Sequence, residues 1–195
     1  LEAHSGNSID ATFAGADDPM KYWLTLIVAI ILSVPLMALE VGQKAPEFSL
    51  KGTDGKTHSL QDYVGKSAVV IAWYPRVFTK NCTIECRSLV KHGEQIRSFN
   101  VAYFMASTDE LDEKVRFAKY NSADFPLLSD PTGEVAKAYD VLIPFIKLAR
   151  RVNVYIGKDG TILKIDRDIN PATTAEDIVK NLEKLGVEKA ERTEP

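Results

Sequence analysis

Cys82 and Cys86 are the only cysteines in 195 residues, and they stand four residues apart. Two cysteines are too few to staple a domain of this length, and scattered core cysteines would rarely fall so close together, so thiol or metal chemistry is the better reading. From Cys82 to Phe99 the apolar residues Leu89, Ile96 and Phe99 are separated by charges, which predicts an amphipathic helix beginning at or near Cys82. The unpaired backbone N–H groups and the positive end of the helix dipole favour an anion there. A thiol in that place is drawn toward the thiolate, its nucleophilic form. Thr79, three residues earlier, can aim its hydroxyl into the same space, donating to sulfur or to a substrate oxygen. Pro75 has no N–H to compete and narrows the pocket from the other side. The same residues also fit a plainer arrangement, in which Thr79 caps the helix and Cys82 is a small buried hydrophobe.

The elements that must hold these residues can be read around them. Ala68–Trp73 (AVVIAW) is a continuous apolar run expected of a strand buried on both faces, and it ends at Tyr74-Pro75. The order is therefore strand, loop, helix, with the cysteines just past the strand. Phe48–Leu50 and Lys56–His58 flank Asp54-Gly55, a hairpin turn signal. Val101–Ala106 predicts a second buried strand, Leu111–Tyr120 and Val135–Tyr139 predict helices, and Asn153–Ile156 with Thr161–Ile165 predicts a hairpin across Lys158-Asp159-Gly160. Ala175–Leu185 predicts a last helix. Strands alternating with helices, then a closing hairpin and a C-terminal helix, give a three-layer α/β domain with a mixed sheet flanked by helices. The apolar stretch Val141–Leu148 reads as buried chain, with a contact surface or a membrane-facing loop as the alternatives.

The chain carries 24 Lys+Arg against 27 Asp+Glu, with 45% apolar and 26% charged residues, which excludes disorder and a disulfide scaffold. The first 38 residues hold Lys21 against Glu2, Asp10, Asp17 and Asp18; beyond them bases and acids balance. A nucleic-acid partner is not expected, because phosphate binding needs a clustered positive excess. From Tyr22 to Leu39 the chain has no charge; Met20-Lys21 precedes it and Glu40 follows. Residues 20–38 are accordingly a signal peptide, with Leu36-Met37-Ala38 as an imperfect cleavage site, or an uncleaved anchor spanning residues 22–39. Residues 1–19 lack periodicity and read as a leader or an added segment, leaving residues 39–195 as one domain.

With these residues in place, Pro75-x-x-x-Thr79-x-x-Cys82 resembles the active-site motif of the peroxiredoxins, thiol peroxidases of the AhpC/TSA superfamily with a thioredoxin-like fold. The similarity continues through Phe125–Asp130, Val135–Val141 and Arg151–Gly160, and it is nearest to the bacterioferritin-comigratory, or Q-type, branch. The resemblance implies that Cys82 is the peroxidatic cysteine, attacking hydrogen peroxide or an organic hydroperoxide and becoming a sulfenic acid. It carries Pro75 and Thr79 over directly and makes Arg151 the arginine that orients thiolate and peroxide, with Arg150 the alternative by one residue of register. It implies no cofactor and no metal, a thioredoxin-like or other thiol reductant as partner, and a monomer or homodimer. The branch usually has its resolving cysteine five residues after the first, whereas Cys86 follows Cys82 by four. A Cys82–Cys86 disulfide would require the first turns to unwind over about residues 80–88; otherwise Cys86 packs against the sheet and a partner supplies the second thiol. Asp140 stands where relatives often have Gly and Asn153 where Thr or Ser is common, while Glu85 matches an acid that holds an arginine or the backbone, or that complements the helix dipole from an exposed position.

A second resemblance, to copper-binding assembly proteins of the Sco type, rests on the C-x-x-x-C spacing and on the affinity of thiolates for Cu(I). Those proteins complete their site with a distant downstream histidine, and the histidines here are His4, His58 and His92, of which His92 reads as an exposed helix residue. The N-terminal segment places the domain outside the cytoplasm, exported, periplasmic or anchored, where an oxidising compartment would not re-reduce the cysteines without a dedicated reductant.

Overall fold

The computed structural model describes residues 39–191. The segment read as signal peptide or anchor lies outside the described residues. Strands β1 (Ser49–Gly52) and β2 (Thr57–Ser59) form the hairpin across Asp54-Gly55, with Leu50 opposite His58. The AVVIAW run is β3 (Ala68–Trp73), every residue of it buried. Its side chains alternate between two cores: Val69, Ile71 and Trp73 enter one, Val70 and Ala72 the other. Each of the larger aliphatics removed from water contributes about 1.5–3 kcal/mol, so this strand is firmly held in the scaffold.

After β3 come α1 (Lys80–Lys91), α2 (Gly93–Arg97), β4 (Val101–Ser107), α3 (Leu111–Asn121), β5 (Leu127–Ser129) and α4 (Glu134–Ala138). A short hairpin, β6 (Leu142–Ile143) with β7 (Leu148–Ala149), leads into β8 (Val152–Ile156), β9 (Ile162–Asp166) and α5 (Thr174–Lys184). The seven-stranded sheet runs β2-β1-β5-β4-β3-β8-β9, with β4 parallel to β3 and β5 and the other pairs antiparallel, a mixed thioredoxin-like sheet. Cys82, Cys86, Leu89, Ile96, Ile178 and Leu182 pack on one face; Ala136 and Tyr139 pack on the other with Phe48 and Trp73.

Three departures from the sequence reading have physical causes. The single helix expected over Cys82–Phe99 is broken at His92, whose backbone leaves helical geometry (φ −112°, ψ 14°). Gly93 follows, and a Cβ there would sit 2.8 Å from the Tyr103 hydroxyl and 2.9 Å from the Arg97 guanidinium, so a larger residue would displace these side-chain ends. His92 is a partly buried cap paired with Glu176 at 3.4 Å rather than an exposed helix residue. Leu127–Ser129, too short and too polar at its end to show as a strand, is recruited by β4 and β1 on its two sides. Finally, Val141–Leu148 is not simply buried: Val141 is enclosed, but Phe145 and Ile146 project from the β6–β7 hairpin into solvent.

Candidate active site

The reactive candidates sit where parallel β3 ends and α1 begins, at the carboxyl end of a central strand, a common position for ligand and catalytic sites in open α/β sheets. Thr79 is the residue before the helix, with extended backbone (φ −79°, ψ 153°), and its carbonyl accepts from the Thr83 N–H at 2.9 Å. Cys82 thus lies in the first turn of α1. Its sulfur is fully buried and accepts a hydrogen bond from Arg151 Nη2 at 3.1 Å. The second guanidinium nitrogen, Nη1, makes an ion pair with Glu85, one turn further along α1. Glu85 is fully buried and Arg151 partly so, which removes the reading of Glu85 as an exposed acid answering the dipole. A carboxylate in that position is stable only because the cation is there, and together they aim one N–H at the sulfur.

Arg151 comes from the start of the β8 segment, 69 residues away, and the antiparallel pairing of Trp73 with Val152 brings it beside α1. Arg150, the alternative by register, faces solvent. Pro75 is partly buried at the foot of the loop. Thr79 departs from expectation: its hydroxyl is exposed and donates to the Arg76 carbonyl at 3.1 Å, bracing the loop rather than reaching toward sulfur. Between them Phe78 adopts a left-handed backbone (φ 59°), a strained state for an aromatic residue, with its ring edge-on to Phe117.

Cys86 is also fully buried, and both cysteines are free thiols. Burial pushes the Cys86 thiol up to about 12, against the smaller opposing pull of Arg87, so it keeps its proton at neutral pH. The departures named above also find their places. Asp140 has positive φ (51°), the conformation glycine adopts at least cost, and it pairs with Arg167. Asn153 is buried on β8 and donates to the Thr174 hydroxyl at 3.3 Å. No group of three or more metal-ligating side chains occurs among the described residues.

A model of the AhpC/TSA family matches residues 41–165. The chain belongs to the AhpC/TSA family. Among AhpC/TSA relatives, the peroxiredoxin Bcp of Bacillus subtilis (strain 168) is 32% identical over 133 residues, 68% of this chain and 82% of that one. The peroxiredoxin Bcp of Escherichia coli (strain K12) is 32% identical over 103 residues, 53% of this chain and 65% of that one. Among solved structures, peroxidoxin BcpB from Mycobacterium tuberculosis is similar with a TM-score of 0.65 at 24% identity, covering 75% of this chain and 97% of that one. The bacterioferritin comigratory protein of Xanthomonas campestris gives 0.68 at 19% identity, over 74% and 98%. These two structures speak for the fold, and the family and sequence matches for the branch: the chain is a peroxiredoxin of the bacterioferritin-comigratory kind, an enzyme acting as a thiol peroxidase. None of these relatives supports the copper-carrier reading.

Sequence reasoning missed one part of this peroxiredoxin's site region. Lys114 on α3 is fully buried, and Tyr74, Ser107 and Asp109 gather around it. The available signal was positional: Tyr74 and Ser107 sit at or just past the carboxyl ends of β3 and β4, with Asp109 in the loop beyond.

Proposed function

We propose that Cys82 is the peroxidatic cysteine of a two-cysteine cycle acting on hydrogen peroxide and organic hydroperoxides. The Arg151 N–H directed at its sulfur is the observation that carries this assignment. The Cys82 thiolate attacks the nearer peroxide oxygen; the O–O bond breaks, the departing oxygen takes a proton and leaves as water or an alcohol, and sulfur becomes a sulfenic acid. Arg151 already borders the sulfur, so its cation stands where negative charge moves from sulfur to the departing oxygen, and Glu85 fixes its orientation. Pro75 and Thr79 act on the loop, Thr79 through its bond to Arg76.

The Cys86 thiol then attacks the sulfenic sulfur, expelling water and forming the Cys82–Cys86 disulfide. Both side chains are sealed against the sheet in regular helix, so this step needs residues 80–88 to unwind. The complete enclosure of Cys86 gives a second reading its support: a one-cysteine cycle in which a partner thiol resolves the sulfenic acid. Intact mass after one equivalent of hydrogen peroxide separates them. Loss of two hydrogens, dependent on Cys86, is the expected result; a persistent gain of one oxygen on the wild-type chain would overturn the two-cysteine cycle. A thioredoxin-like dithiol returns the disulfide to two thiols. The uncharged segment Tyr22–Leu39 supports export or anchoring outside the cytoplasm, tested by the N-terminal sequence and fractionation of the protein from cells.

A further inference from the structure

Lys114 is the most completely buried cation in the described residues, and its surroundings are polar for a reason that packing alone does not supply. An unbranched apolar side chain would fill the same space at no electrostatic cost. Instead the ammonium donates to the Tyr74 hydroxyl at 3.1 Å and to the Ser107 hydroxyl. Ser107 passes the bond on, donating to Asp109 Oδ2 at 2.6 Å, and the same oxygen accepts from the Val77 backbone N–H at 3.0 Å. The Asp109 carbonyl is itself held by the Ser129 hydroxyl at 2.8 Å. One run of hydrogen bonds therefore leads from α3, through the ends of β4 and β5, to the middle of the loop between β3 and α1.

Val77 is followed by the left-handed Phe78 and then by Thr79, where the helix holding Cys82 begins. A strained residue at that junction persists only if its flanks are held. The Val77 amide is the loop's tie to the strands behind it, and Asp109 is the acceptor. Burial lowers the Lys114 ammonium to about 7, opposed by Asp109 and Asp130 and, more weakly, by Cys82 and Glu113, while the Tyr74 hydroxyl faces it from the end of β3.

We propose that Lys114, Ser107 and Asp109 form a buried anchor that holds the Pro75–Phe78 loop by its Val77 amide, making Lys114 a positioning residue for oxidation of Cys82. The inference rests on the peroxidase reading of Cys82 and adds to it a group that touches neither sulfur nor peroxide.

The test uses the full chain carrying Lys114→Met and, separately, Ser107→Ala, which removes one hydroxyl and keeps the fold if the methionine variant does not. Two quantities are measured: amide exchange at Val77 against the β3 amides, and the single-turnover rate of Cys82 oxidation by hydrogen peroxide. A freed loop is expected to exchange about tenfold faster at Val77 while Val69–Ala72 keep their protection, as local rather than global opening requires. Oxidation is expected to slow about tenfold or more, since small misplacement of a reacting group has that scale of effect. Ser107→Ala leaving both quantities within about twofold of wild type overturns the proposal. So does faster exchange at Val77 without slower oxidation, or equal loss of protection in β3, which would make the cluster a stability device only. A wild-type chain that reacts no faster than a free thiol refutes the peroxidase reading instead, and the exchange arm still decides whether the anchor exists.

Discussion

Cys82 and Cys86 share one helix, one face and complete burial, yet their surroundings differ in kind. Cys82 has a guanidinium N–H on its sulfur, held there by a buried carboxylate; Cys86 has the sheet and its own helix, and its thiol is pushed up to about 12. Enclosure alone therefore does not decide what a cysteine does. The difference lies in one residue 69 positions away, at the start of the β8 segment, whose N–H is bonded to the Cys82 sulfur, while burial outweighs the pull of Arg87 at Cys86.

The comparison can be broken most completely at Cys82. Cys82→Ser should lower peroxide consumption by about a thousandfold or more, to the level of the chain's non-specific reactivity, measured by loss of hydrogen peroxide under pseudo-first-order conditions. Next is the cation. Arg151→Met should reduce the rate constant for sulfenic acid formation by about a hundredfold, the scale seen when one preorganised donor is lost from a site of developing charge. It also leaves Glu85 buried without its partner, so urea unfolding should report a loss of about 3–5 kcal/mol. Arg151→Lys should recover little of either, because a single ammonium cannot serve Glu85 and Cys82 through two fixed N–H groups. Cys86→Ser removes the other half of the pair: the variant should consume one equivalent of peroxide and stop at the sulfenic acid, with steady-state turnover on a dithiol reductant down about tenfold, a barrier increase of ~1.4 kcal/mol.

The last expected effect concerns protons, and it is small at any one pH near neutrality. A Cys86 thiol raised from its ordinary 9.0 to about 12 keeps its proton in the native chain after the unfolded chain has released it. Between those values the unfolded state binds fewer protons, so native stability should fall as pH rises from 9 toward 12, by up to ~1.4 kcal/mol per pH unit. Below pH 9 the contribution is fully present. Denaturation curves of wild type and Cys86→Ala should converge in slope against pH outside that window and diverge inside it.

Local pattern was sufficient for the scaffold around these cysteines. AVVIAW is the kind of run expected of a strand covered on both faces, and the charge spacing after Cys82 is helical, so the placement of Cys82 at a helix start was legible in the sequence. The motif resemblance chose Arg151 over other cations, and solvent exposure of Arg150 removed the ambiguity of register. What stayed illegible were the contacts made across the sheet. Lys114 carries a charge that a single sequence reads as surface, and it is enclosed with Tyr74 and Ser107 at the ends of β3 and β4; for Glu85 the pairing with an arginine is one of the sequence readings, and its complete burial is not. The break at His92 was hidden for a related reason: the helix-compatible pattern continues to Phe99, and only the backbone geometry of His92 separates the two helices. Thr79 was placed correctly and oriented wrongly, since a hydroxyl at that point has both the sulfur side and the Arg76 carbonyl within choice.

The same break at His92 and Gly93 sets a length. Helix melting is cooperative along an unbroken ladder of backbone bonds and stops where the ladder stops. Opening that starts at the Cys82 end of α1 can spread through at most its 12 residues before it meets a chain already out of helical register, with Gly93 pressed against β4 and Ile96 fully enclosed beyond it. On the proposed two-cysteine cycle the interruption would work as a firebreak: an opening of residues 80–88 that lets Cys82 reach Cys86 would end there, and the ground it stands on would stay folded.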